Sequence, residues 1–169
     1  MFSKIFQYRY SSLGMFVILI LAVLASCGGG DDNPTPTPDP LTAQQERAQA
    51  MAGTWNSSEV RTVPDDIEDA ARQELEALSF TFNVNQDQNP TTFSASGAPT
   101  YFNTGSGASW AWADATTVED VNLSAVSPVS SFTIDEFTAT SMTISFTFEG
   151  PSTSRLEGLG TYTIVLAKQ

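Results

Sequence analysis

Apolar residues in the second half of the chain recur at every other position. Phe80, Phe82 and Val84 alternate with Thr81, Asn83 and Asn85. The same period of two runs through Trp110 and Trp112, through Phe132 and Ile134, through Met142, Ile144, Phe146 and Phe148, and through Tyr162, Ile164 and Leu166. Successive side chains of a strand point to opposite faces, so each segment has one buried face and one wet face. Shorter strands are expected at 54–62, 91–96, 99–103 and 117–123. About eight short strands joined by short turns predict a mainly β protein, an antiparallel barrel or sandwich. A closed up-and-down barrel would leave a Thr-rich sheet without exposed edges.

Two helices break this pattern. Thr42-x-x-Gln45 fits a capping box, and Gly53 suits the stop after Met51-Ala52, which predicts a short N-terminal helix. The second is expected at 65–78, between the first two strands. Pro64 stands near its first position, and Asp65, Asp66, Glu68 and Asp69 load its positive end. Ile67, Ala71, Leu75 and Leu78 then share one face.

The N-terminus has a different grammar. Lys4 and Arg9 precede an apolar run from Leu13 to Ala25, too short to span a bilayer, and the run ends in Leu24-Ala25-Ser26-Cys27. This stretch resembles the lipobox of bacterial lipoproteins. The resemblance implies that 1–26 is a removed signal peptide, that Cys27 is lipidated, and that the protein is held at a membrane by several acyl chains. Gly28 after the cysteine implies sorting to the outer membrane, and the Gly-Gly-Gly-Asp-Asp run resembles the surface-export signals of Bacteroidota lipoproteins. Residues 27–40 then form the lipidated cysteine and a Pro/Thr-rich stalk of polyproline character. Residues 41–169 suffice for one core.

Charge and composition remove whole classes of function. The chain has 19 acidic and 7 basic residues and a formal net charge of −12. Loss of Lys4 and Arg9 with the signal makes the remainder more acidic still. Nucleic-acid binding, which needs a basic patch, is not expected. With no histidine and a single cysteine, His-dependent nucleophilic catalysis is impossible and a zinc or copper site is not expected. Asn83-x-Asn85-x-Asp87-x-Asn89 alternates oxygen donors, but Gln88 and Ser94 stand where a calcium loop needs Gly and Glu. No catalytic residue, no metal and no cofactor is therefore assigned, and a non-enzymatic protein is expected.

Gly53-Thr54-Trp55, opening the first strand after a short helix, resembles the Gly-x-Trp signature of the calycins, the lipocalins and fatty-acid-binding proteins. The resemblance implies a lipocalin-like barrel whose floor is closed by Gly53 and Trp55. A basic residue late in the last strand, here Lys168, covers the tryptophan; Arg155 would sit at the opposite end. With the lipobox and the segment Arg155-Leu156-Glu157-Gly158-Leu159-Gly160-Thr161-Tyr162, the chain is similar to uncharacterised lipocalin-like lipoproteins of Bacteroidota, which carry no established function.

The inward aromatics leave three arrangements open. Phe80, Phe82, Trp110, Trp112, Phe146 and Tyr162, with Phe132 and Phe148, either fill the core or line a cavity for one small apolar ligand. In the third, Trp110 and Trp112 face outward as a platform for sugar rings. The expected function is thus an outer-membrane or cell-surface anchored binding module, for a small apolar ligand or, alternatively, for a surface partner or glycan over a filled core.

Overall fold

In the computed structural model, residues 39–150 and 158–169 are described. The lipobox with Cys27, the stalk up to residue 38, and Arg155 lie outside the described residues. The described residues open with helix α1 (Ala43–Met51), then strand β1 (Gly53–Thr62), helix α2 (Asp69–Glu76) and strands β2 (Ser79–Val84), β3 (Pro90–Ser96), β4 (Phe102–Trp112), β5 (Asp120–Pro128), β6 (Ser131–Phe137), β7 (Ser141–Phe148) and β8 (Gly160–Lys168). The strands follow one another in sequence order around a closed antiparallel barrel, with β1 pairing β8. Of the barrel and the sandwich that the two-residue period leaves open, the structure is the barrel, the eight-stranded up-and-down form that the calycin resemblance implies.

Helix α1 begins as its sequence signals. The Thr42 hydroxyl accepts from Gln45 N at 3.2 Å, and the Gln45 carboxamide accepts from Thr42 N at 2.8 Å, completing the capping box. The helix covers one end of the barrel. Gln44 Nε2 donates to the carbonyls of Asp114 and Thr117 in the β4–β5 loop, and Gln45 Nε2 to that of Asp87 in the β2–β3 turn. The Arg47 guanidinium lies 4.4 Å from the centre of the Phe137 ring at the end of β6. Ala48 and Met51 are its buried residues.

Helix α2 is shorter than the span 65–78 predicted for it. Pro64 does not start it. Its carbonyl accepts from Ile67 N at 3.2 Å in a turn, and the helix begins after Glu68 as N-cap. Of the expected apolar face, Leu75 and Leu78 are fully buried, and Ile67 and Ala71 pack half-buried against the core. The helix is docked on the β3–β4 loop. Glu74 accepts from Thr100 N and from the Thr100 hydroxyl, both at 3.1 Å. Gly97 (φ 87°) makes this contact feasible, because a Cβ there would stand 1.9 Å from the Ala77 carbonyl oxygen.

Two strands expected separately, at 99–103 and around Trp110–Trp112, are one. Strand β4 runs through Gly105 and Gly107, and residues 105–108 stand opposite Ala125 of β5 as a bulge between the pairs Thr104↔Val126 and Ser109↔Ser124. Gly107 takes φ 75° there and Ala125 φ 56°. The glycines bend one strand without ending it. Strand β5, expected at 117–123, starts later and ends at Pro128, because residues 113–119 form the loop that α1 grips.

The α2 face generates a stability prediction. Leu75→Ala removes a fully buried side chain beneath the helix and is expected to lower stability by about 2–5 kcal/mol. Urea unfolding followed by tryptophan fluorescence checks this. A midpoint unchanged from the parent chain would mean that α2 does not hold the barrel end.

Candidate functional site

The interior is the first place where a site could lie. Phe80 is its hub, with ring centroids of Phe93, Phe102, Phe82 and Phe132 at 5.1, 4.9, 5.9 and 5.9 Å. Phe82 continues the chain of rings to Trp110 at 5.2 Å, and Trp110 to Trp112 at 5.4 Å. In the other direction Phe102 meets Phe146 at 4.9 Å, and Phe146 stacks on Tyr162 at 5.1 Å and 5°. The six sequence-selected lining residues therefore belong to one continuous aromatic packing, most of it in edge-to-face geometry. Phe80, Phe82 and Tyr162 are fully buried, Trp110 is 3% exposed, and Trp112 is half-buried against the core. Trp110 Nε1 donates to Asn83 O at 2.9 Å. A ring so placed offers no face to a sugar.

The end under α1 is built around Trp55. Its side chain is fully buried, and its indole N–H donates to Met51 O at 2.7 Å. Trp55 is paired with Lys168 across the β1–β8 ladder, and Lys168 Nζ lies 5.3 Å from its ring centre. The same ammonium donates to Ala50 O at 2.6 Å. Carbonyls in the last turn of a helix have no intrahelical partner, and that end of the helix carries negative partial charge. Trp55 and Lys168 thus satisfy two of them, and the lysine brings the cation that α1 lacks in its own last turn.

The opposite end lies under α2. Tyr101 Oη donates to Tyr162 Oη at 3.4 Å, and Tyr162 Oη donates to the Gly158 carbonyl. Burial, then the bond to Tyr162, then the negative charges nearby hold the Tyr101 phenol well above its ordinary pKa. Burial likewise raises that of Tyr162 against the opposing effect of Tyr101. A pocket of about 190 Å³ opens beside this pair, lined by Ile67, Ala71, Tyr101 and Phe148 among others.

A larger feature lies in the barrel wall. Strand β6 pairs β5 through Ser131–Thr133 but meets β7 only from Thr133↔Ser145 onward. Strand β7 continues to Phe148, laddered to β8 on its other side. A groove of about 600 Å³ occupies the split, lined by Asn122, by Ser131, Thr147 and other hydroxyl residues, and by Val129, Phe132 and Phe146, with Asp120 and Glu149 also bordering it.

The described residues contain no group of three or more His, Cys, Asp or Glu that could hold a metal ion. In the Asn83–Asn89 stretch, Asn85 Oδ1 accepts from Asp87 N and Asn89 N, at 3.0 and 2.9 Å, so that amide closes a turn. No protein family, curated protein or solved structure matches this chain.

Sequence reasoning passed over Tyr101, Phe93 and Phe102, all buried in the aromatic packing. Tyr101 and Phe102 are adjacent, which breaks the period of two, and Phe93 stands alone among Thr and Ser. The split had no signal beyond the shortness of the β6 alternation.

Two predictions come from the barrel ends. Trp55→Ala is expected to destabilise by about 3–5 kcal/mol and Lys168→Ala by about 1–3 kcal/mol. A double-mutant cycle should show positive coupling, and strict additivity would refute the shared cap. At the other end the phenols are neutral in the fold and ionise more readily in the unfolded chain. Their contribution is complete below about pH 10 and is lost as pH rises beyond it. In the chain from Cys27 onward Tyr101 and Tyr162 are the only tyrosines. Phenolate absorbance should therefore appear together with the loss of β circular dichroism. Ionisation at ordinary pH with the fold intact would contradict the buried pair.

Proposed function

We propose that the chain is a lipid-anchored protein of the outer membrane, surface-exposed, whose barrel is a non-enzymatic interaction module working through its outer wall. The observation that carries this reading is the unbroken aromatic packing from Trp112 to Tyr162. An interior occupied by its own rings leaves recognition to the surface. The anchor is supported by the lipobox-like Leu24–Cys27 and by the Pro-rich stretch that separates it from the barrel. The strong net negative charge supports a protein partner or a neutral glycan over nucleic acid. No cofactor or metal enters the proposal.

A second reading, a small apolar ligand, is favoured by the pocket under α2. Its volume of about 190 Å³ is below the roughly 300 Å³ at which sites for drug-sized ligands begin. It would suit one ring or the end of an acyl chain.

Mass spectrometry tests both readings. Protein extracted from membranes should carry acyl mass on Cys27 and start at that residue, whereas Cys27→Ala should remain unprocessed or soluble. A wild-type chain without acyl mass overturns the anchor. A lipid that persists in native spectra of the barrel, and is lost in Phe148→Trp, would move the function from the wall to the α2 pocket.

A further inference from the structure

The wall between β6 and β7 is split along the upper part of β7. Among the described residues, the last β6–β7 pair is Thr133↔Ser145, while Phe146, Thr147 and Phe148 pair only with β8, through Tyr162, Thr161 and Gly160. In an antiparallel strand the N–H and C=O groups of alternate residues turn to opposite neighbours. The upper part of β7 therefore directs backbone polar groups into the groove, where no strand answers them. On the facing side, Ser131 and Phe132 are laddered only to β5. Such an edge is a template for one more strand. The groove beside it, about 600 Å³, is lined by short hydroxyl side chains and Asn122 over a base that includes Phe132 and Phe146.

We infer that this split is a docking groove for an extended, net-basic polypeptide segment of a partner protein, which adds as a strand along the upper edge of β7. The inference rests on the interaction-module reading and names its partner class. Charge complementarity selects the occupant. Exposed Asp120 and Glu149 border the groove, and no Lys or Arg is among its described lining residues. A second copy of this chain, with a net charge of −12 of its own, is a poor occupant. The Pro-rich stretch 34–40 is another, since proline has no N–H to give a ladder. A glycan would need a free ring to stack on. The rings at the base of the split, Phe132 and Phe146, are 3% and 4% exposed, and their faces are committed to Phe80 and to Tyr162.

The test uses the full chain in detergent as bait for short random peptides displayed on phage, at low salt, with a glycan array in parallel. Enriched peptides are expected to be rich in Lys and Arg and free of proline at their centre. Bound, the synthetic peptide should slow hydrogen exchange at the amides of Ser131, Phe132 and Phe146–Phe148. Thr147→Lys, at an exposed position in the groove, should weaken binding about tenfold or more, whereas Ser106→Lys on the β4 bulge should leave it unchanged. Methylating alternate backbone nitrogens of the peptide should abolish it. If Thr147→Lys fails to fold, Ser131→Lys at the other exposed lip replaces it. No enriched peptide, or binding indifferent to both the lysine substitution and the methylation, overturns the proposal. Protection of the same amides by the chain's own residues 151–157, released when that segment is replaced by Gly-Ser, also overturns it. A glycan that protects these amides overturns it while sparing the interaction module. If neither peptide nor glycan binds, the module reading falls as well.

Discussion

The barrel exists because β1 meets β8. Without that ladder, which runs from Trp55↔Lys168 to Thr62↔Thr163, the other strands would form a curved Thr-rich sheet with two open edges. The first pair of the ladder is also where the end of the barrel is sealed. Trp55 and Lys168 each reach across to a carbonyl in the last turn of α1, at Met51 and Ala50. Those carbonyls, of buried Met51 and half-buried Ala50, would otherwise lack a partner at the helix end. Closure of the sheet, burial of the indole and satisfaction of the helix end are therefore one interaction. A change at any of the three groups is felt by the other two.

A barrel closed in this way must fill its interior or leave it to a ligand. Here the filling is done by aromatic rings on facing strands, with Phe80 of β2 touching Phe93 of β3, Phe102 of β4 and Phe132 of β6. A bound molecule would have to separate rings whose edge-to-face contacts each contribute about 0.5–1.5 kcal/mol beyond their buried area. The same bulk draws the two phenols of Tyr101 and Tyr162 inside as a hydrogen-bonded pair under α2. The polar chemistry this chain can offer a partner is therefore spread over its outer wall and its loops.

Much of this architecture was legible because a wall strand with one wet face has to alternate. The alternation of Phe80 to Val84, of Met142 to Phe148 and of Tyr162 to Leu166 marks β2, β7 and β8 directly. The capping box marks the start of α1 for an equally local reason. What was not legible depends on contacts between distant segments. Helix α1 carries almost no apolar periodicity. It docks through the amides of Gln44 and Gln45 on loops some 40 to 70 residues away in sequence. The glycines of β4 look like a break between strands and are a bulge inside one. Pro64 and its acidic followers look like a helix start, but the turn at Pro64–Ile67 delays α2. For the candidate site, the inward aromatics were visible as a set. That they pack on one another rather than around a space depends on ring orientations that no alternation encodes.

The split in the wall has a traceable origin in the β5–β6 turn. Pro128 ends β5, having no N–H with which to extend a ladder. The next N–H, that of Val129, donates to Tyr101 O at 3.1 Å, which ties the turn to the β3–β4 loop rather than to β7. Leu123 N then donates to Ser130 O, so β6 leaves the turn already committed to β5. Strand β7 is held to its full length by β8, through Phe148↔Gly160. Its last residues consequently rise past the start of their pairing with β6 at Ser145. A proline, one loop carbonyl and a long last hairpin are enough to open the wall, and they do so without disturbing the aromatic packing behind it. In this barrel the interior packing and the groove meet at Phe132 and Phe146, which form the base of the split. The interior is governed by rings on facing strands, and the lips of the groove by short exposed hydroxyl side chains such as Ser131 and Thr147.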